Sequence, residues 1–211
     1  MFIPPVFELK DPATIREIVE GYDFGLLVTA TGDKPEASHL PFLYDPEAGP
    51  KGTLVAHMAR ANPQWRGFAA LAESGGEALA IFQGPHAYVS PRFYDSNKPN
   101  VPTWNYLAVH AYGQPRLIEE PEALRALLER LSAKQEDGRP EPWSPGELPG
   151  DFMDKMMTGI VGFEMPIARL EAKAKLNQNK PREQMSSAMK ALEDQGDPLA
   201  RATAARMKAL S

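Results

Sequence analysis

The order of its strand-like segments limits this chain more than any other feature. "FGLLVTA" (24–30) reads as a buried strand, and "EASHLPFLY" (36–44) and "GTLVAHM" (52–58) read as a hairpin joined by "DPEAGPK". "EALAIFQG" (77–84) and "AYVS" (87–90) follow as strands. Then come "WNYLAVHAYGQPRLI" (104–118), with Gly113 at a bulge or bend, and "TGIVGFEMPIARLEA" (158–172). Six or seven strands in hairpin-like succession, with few helices between them, pair antiparallel. A doubly wound parallel sheet would need a helix after nearly every strand. The 21 prolines cut the chain into short elements. Helices are expected after Asp11-Pro12, with Ile15, Ile18 and Val19 inward, and after Asn62-Pro63, with Trp65, Phe68 and Ala72 inward. Leu124, Leu127, Leu128 and Leu131 recur at helical spacing over 122–132, and 151–157, 182–195 and 198–210 are also helical in pattern. The expected fold is mostly β or α+β: an antiparallel barrel over 1–172 with peripheral helices, then a C-terminal helical arm over 173–211.

Composition narrows the function. Of 211 residues, 43% are hydrophobic and 24% charged, the balance of an ordinary globular protein. A net charge of −5 argues against a surface that grips nucleic acid throughout, although a local basic patch survives it. The absence of cysteine excludes disulfides, thiolate metal sites and cysteine nucleophiles, and fits a reducing compartment. No apolar run approaches the ~18 residues of a membrane span, and "MFIPPVFELKD" lacks the pattern of a secretory signal. A cytoplasmic protein is expected, with no membrane partner.

"HMARANPQWRG" (57–67) has a composition rare in core strands and ordinary loops. Asn62 suits an N-cap and Pro63 the first helical position, so the free N–H groups of that start favour an anion. Arg60 sits where a guanidinium could fork onto a phosphate; the alternative is that it pairs with a neighbouring carboxylate while Asn62 only caps. In "FQGPHAYVSPRFY" (82–94), Tyr88, Phe93 and Tyr94 could wall a planar ligand or simply pack. Strand alternation puts Trp104 and Tyr106 on one side and Asn105 on the other, where its amide could meet a heterocycle edge. "KAKLNQNKPRE" (173–183) gathers Lys173, Lys175, Lys180 and Arg182 with Gln178 and Asn179, which suits phosphate, nucleic acid, an acidic surface or a solvated linker. His39, His57, His86 and His110 share no short ligand spacing, so no metal site is expected. No Walker loop, Rossmann fingerprint or G-x-S-x-G element is present.

Taken in order, "FIPPVFE", "ASHLPFL", "LVAHMARANPQW", "IFQGPHAYVSPRFY", "VPTWNY", "IVGFE" and "KLNQNK" resemble the PaiB-type FMN-binding negative transcriptional regulators, from residue 2 to about residue 207. One departure is Phe93, which stands where the family often has a tryptophan. The resemblance implies a split β-barrel of the flavin-reductase and pyridoxamine-phosphate-oxidase type, a homodimer, and FMN in a groove at the dimer interface. It implies that His57, Arg60, Ala61 and Asn62 border the phosphate, and that Ser38, His39 and Leu40 lie near the ribityl chain or ring. Trp104, Asn105, Tyr106, Lys175, Gln178 and Asn179 would close the pocket, in part from the other subunit. DNA binding comes from the resemblance alone. Two alternatives stay open: a flavin-dependent oxidoreductase, with His39 and His57 as the titratable candidates, and a haem-binding or haem-degrading relative.

Overall fold

The computed structural model describes the chain apart from residues 33, 96–98 and 211 and the side chain of residue 31. The middle of the Pro- and Asn-rich loop after Tyr94 therefore lies outside the described residues. Among the described residues, eight strands form one sheet: β1 (Phe24–Thr31), β2 (Lys34–Pro41), β3 (Leu43–Asp45), β4 (Thr53–Ala59), β5 (Ala78–Val89), β6 (Thr103–Gly113), β7 (Arg116–Ile118) and β8 (Ile160–Lys175). Their order is β2-β1-β5-β6-β8-β4-β3, with β7 also paired to β8. The α-helices of the described residues are α1 (Pro12–Gly21), α2 (Phe68–Glu73), α3 (Pro121–Glu136), α4 (Gly150–Met157), α5 (Arg182–Asp194) and α6 (Pro198–Ala209). The antiparallel class expected from the strand succession is the one observed.

Three elements differ from the sequence reading. The segment 36–44 is not one hairpin arm: Pro41 ends β2, which pairs with β1, and Leu43 begins β3, which pairs with β4. The break is at Phe42, whose N–H donates to Asp23 O at 2.9 Å while its ring enters the core. The expected strands 77–84 and 87–90 are one strand that passes through Gly84-Pro85. After Asn62, the chain forms a 3-10 turn, Pro63–Gly67, before α2 begins. Three residues per turn there advance the phase relative to an α-helix. The inward residues become Gln64, Phe68 and Leu71, while Trp65 is half-buried and Ala72 exposed.

The chain divides into two compact units, whose boundaries fall within α1, β5, β6 and β8. The first comprises Met1–Ile18, Gln83–Val109 and Glu171–Ser211. Its buried side chains include Leu107, Leu176, Leu192 and Met207. The Asp197 carboxylate caps α6 by accepting from the N–H groups of Leu199 and Ala200, each at 3.2 Å.

The second unit comprises Val19–Phe82 and His110–Leu170. Its core is aromatic: Phe42 meets Phe82 edge-on at 5.4 Å, and Phe68 meets Phe163 at 5.3 Å. Leu124, Leu127 and Leu131 of α3 cluster with Leu43 and Met157, and Leu128 packs at their margin. Leu124 of α3 packs over Gly162 of β8, where an added Cβ would lie 2.8 Å from Leu124 Cδ1 and push that side chain aside. Gly113 ends β6 against the chain: a Cβ there would lie 2.2 Å from Pro166 O.

The register also defines an uncharged outer face. Leu26 lies between His39 and Ile81, Val28 lies between Ala37 and Leu79, and Phe24 is opposite Pro41. Directly opposed residues project to one side of a sheet, so these side chains share a face. Phe24 is 67% exposed and stacks on the His39 ring, centroids 6.0 Å apart.

Candidate functional site

The second unit brings together the residues of the strand–loop–turn element. β4 delivers His57, and the chain leaves the sheet at Ala59 to present Arg60, Ala61 and Asn62. Asn62 is held from both ends: its Oδ1 accepts from Gln64 N–H at 3.0 Å, and its Nδ2 donates to Ser38 Oγ at 2.7 Å. Ser38 on β2 is thereby tied to the loop, and its own hydroxyl proton is left to donate elsewhere. Gln64 was not singled out from sequence, yet it locks this loop to the sheet. Its buried Nε2 reaches Leu27 O at 3.2 Å, Thr29 Oγ1 at 3.1 Å and Glu36 O at 3.3 Å. The only sequence signal was the polar residue at i, i+4, i+7 with Phe68 and Leu71.

Arg60 is positioned by backbone rather than by a carboxylate. Its Nε–H donates to Thr158 O at 2.8 Å and its Nη2 to Ile160 O at 2.9 Å. Its own N–H donates to Gly159 O at 2.8 Å. A guanidinium has five N–H groups, so three remain unused by these bonds. The carbonyl pair holds the plane fixed, and no described carboxylate pairs with the charge, an arrangement suited to an oxyanion. His57 projects on the same side of the sheet as Gly162, its partner across β4 and β8. Its Nδ1 is buried without a hydrogen-bond partner among the described residues, and burial pushes the imidazole below its usual range, favouring the neutral ring. His39 is exposed on the outer face, and Leu40 is buried on the opposite one.

The other expected site residues lie in the first unit. Trp104, 52% exposed, contacts the rings of His86 at 5.6 Å and Tyr88 at 6.1 Å. Tyr106 receives the Lys173 ammonium over its ring at 5.2 Å. Asn105 is fully buried, with Nδ2 toward Met207 Sδ at 3.3 Å and Oδ1 unpartnered. Lys175 donates to Thr103 Oγ1 and to Trp104 O, and burial, assisted by neighbouring Lys173, lowers its ammonium pKa. Gln178 accepts from Leu176 N–H at 2.7 Å, closing the turn in which Asn177 adopts a left-handed backbone with φ 67°. Asn179 is exposed.

The order and antiparallel pairing of these strands are those of the split-barrel fold class. Residues 1–169 match the family described as "Putative FMN-binding domain". The chain is also 34% identical to the protease synthase and sporulation protein PAI 2 of Bacillus subtilis, over 99% of this chain and 97% of that one. The chain belongs to this FMN-binding family, and FMN is the cofactor that membership assigns to it. Two solved structures share the fold. The flavocytochrome Anf3 from Azotobacter vinelandii has a TM-score of 0.58 at 12% identity, covering 80% of this chain and 69% of that one. The FAD and haem binding protein from Mycobacterium smegmatis has a TM-score of 0.57 at 16% identity, covering 80% and 73%. The chemistry of these donors fits FMN: the N–H groups of Arg60 beyond its two carbonyl bonds and the Ser38 hydroxyl each suit a phosphate oxygen, and Ala61 is exposed. No helix among the described residues is long and apolar enough to cross a membrane.

Proposed function

We propose that this chain is a flavin-binding regulator of transcription that works as a homodimer. The observation that carries the flavin site is Arg60, a cation fixed by two carbonyls with no carboxylate partner among the described residues. It stands at the end of β4, where the family resemblance expects the FMN phosphate. In this reading Arg60 and Ser38 hold the phosphate, Asn62 and Gln64 keep the loop in place, and the neutral His57 keeps a second positive charge out of the buried strand. Bound FMN supplies one- and two-electron redox chemistry through its isoalloxazine ring.

The homodimer reading is supported by the outer face around Phe24, Leu26, Val28, His39, Leu79 and Ile81. A two-fold axis brings identical patches together, and this patch opposes no like formal charges. Phe24→Glu, at an exposed position, is expected to convert a dimer to a monomer in analytical ultracentrifugation; an unchanged sedimentation coefficient would place the interface elsewhere. The regulatory reading is supported by the resemblance to the PaiB-type regulators along nearly the whole chain. Its test is a binding assay on operator and random DNA across a salt series, with and without FMN. An absence of sequence preference at every salt concentration rejects it. The absorption spectrum of the purified protein tests the cofactor: flavin bands support the site, whereas a Soret band alone assigns haem.

A further inference from the structure

Arg60 also borders a cleft of about 620 Å³ within the second unit. That volume lies in the range that small-molecule sites occupy. Its wall is largely apolar: Leu117 and Ile118 from β7, Leu124 from α3, Met157 from α4, and the half-buried Trp65. Leu117 is 38% exposed, so part of this apolar wall faces solvent. The indole is itself fixed, its Nε1–H donating to Arg60 O at 3.1 Å.

The charges bordering this cleft are unequal in how firmly they are held. Asp154 is paired with Arg125. Glu119 has no side-chain partner among the described residues and is exposed, so water solvates its carboxylate. Arg60 is also exposed, but Thr158 O and Ile160 O clamp its guanidinium, and it has no carboxylate partner among the described residues. A fixed cation at a mainly apolar cleft is complementary to a molecule with one acidic head and an apolar body.

We propose that this cleft binds a small amphipathic acid, a medium-chain or aromatic carboxylate. Its head sits on the free edge of Arg60 and its body lies against Trp65, Leu117 and Met157. The proposal does not rest on the FMN reading; both ligands use the free edge of Arg60, so the carboxylate would compete there with the FMN phosphate. It differs from that reading in its apolar contacts, which come from β7, α3 and α4 rather than from the Ser38–Asn62 loop.

The test is calorimetric titration of the full chain, its flavin content recorded by absorbance, with octanoate and octylammonium at low ionic strength. Octanoate is expected to bind at least tenfold more tightly, and Arg60→Gln to abolish the preference. Leu117→Trp fills the cleft without touching the loop, and is expected to lose octanoate binding while retaining FMN binding. Equal or tighter binding of octylammonium overturns the proposal, because Glu119 would then set the selectivity. So does wild-type octanoate binding by Leu117→Trp. Loss of both octanoate and FMN binding in Leu117→Trp also overturns it, because the cleft would then be part of the flavin site. Failure of wild-type protein to bind FMN while octanoate binds would count against the flavin site alone.

Discussion

Replacing Arg60 with alanine separates two roles that the structure gives one side chain. As a tether, Arg60 donates to Thr158 O at 2.8 Å and to Ile160 O at 2.9 Å, joining the end of β4 to the turn between α4 and β8. A hydrogen bond from a charged donor contributes about 1.5–3 kcal/mol where its partner would be left dry. Arg60 is exposed, so water replaces part of what is lost, and we expect the pair to contribute about 1–2 kcal/mol in total. As a phosphate ligand, its remaining N–H groups would contribute about 1–3 kcal/mol to FMN binding. At about 1.4 kcal/mol per tenfold, that is a loss in affinity of roughly 5- to 150-fold. Flavin fluorescence titration measures the second effect and urea denaturation the first. Arg60→Lys distinguishes them further: it retains the charge but not the planar fork, so it should recover part of the FMN affinity and little of the stability. An Arg60→Ala variant with reduced stability and unchanged FMN affinity would refute the phosphate role and leave Arg60 as a tether only.

Other consequences are equally direct. Gln64→Ala removes the buried amide that joins the loop to Leu27, Thr29 and Glu36, and should cost about 1–3 kcal/mol in urea unfolding. It should also weaken FMN binding without touching the phosphate; an unshifted urea midpoint would show that the amide does not brace the loop. Burial lowers the His57 pKa, so the unfolded chain takes up a proton before the folded one does. Its contribution to stability is complete above about pH 6.5 and is lost as pH falls from there through the lower folded value. His57→Leu should therefore flatten the fall in urea midpoint between pH 7.5 and 5.5 (about two units); an equally steep fall in the variant would assign it to other groups. Gly113→Ala would place a methyl 2.2 Å from Pro166 O, and should cost about 3 kcal/mol or more, read as loss of soluble protein or a lowered Tm. A variant as stable as wild type would mean that the strands can separate there without cost.

Much of the architecture was legible because its signals are local. Hairpin-like spacing gave the antiparallel class, and the leucine periodicity of 124–131 gave both α3 and its buried side. Pro63 after Asn62 correctly marked a helical start, but not its kind. A 3-10 turn and an α-helix begin with the same residues, and the choice between them placed Gln64 inside and Trp65 at the cleft. The hairpin assignment of 36–44 holds only at Leu43 and Tyr44, which pair with β4, and misses the rest for a comparable reason. Alternation of side chains does not say which strand supplies the partner, and Phe42 breaks the segment by entering a core built from Phe82 and Phe163, both distant in sequence.

The site divides along the same line. Sequence by itself determined that a cation, a capping amide and small residues would gather at the end of β4, because 57–62 are contiguous. Only the tertiary structure decided what each does. Asn62 is braced by Ser38 from another strand, and Arg60 by carbonyls about a hundred residues away. Asn105 alternates with Trp104 and Tyr106 as the strand pattern required, yet whether its side faces a ligand or the core depended on where α6 packs, and Met207 covers it. Alternation and helical phase are properties of a few consecutive peptide units, whereas partners and burial depend on which distant surfaces meet.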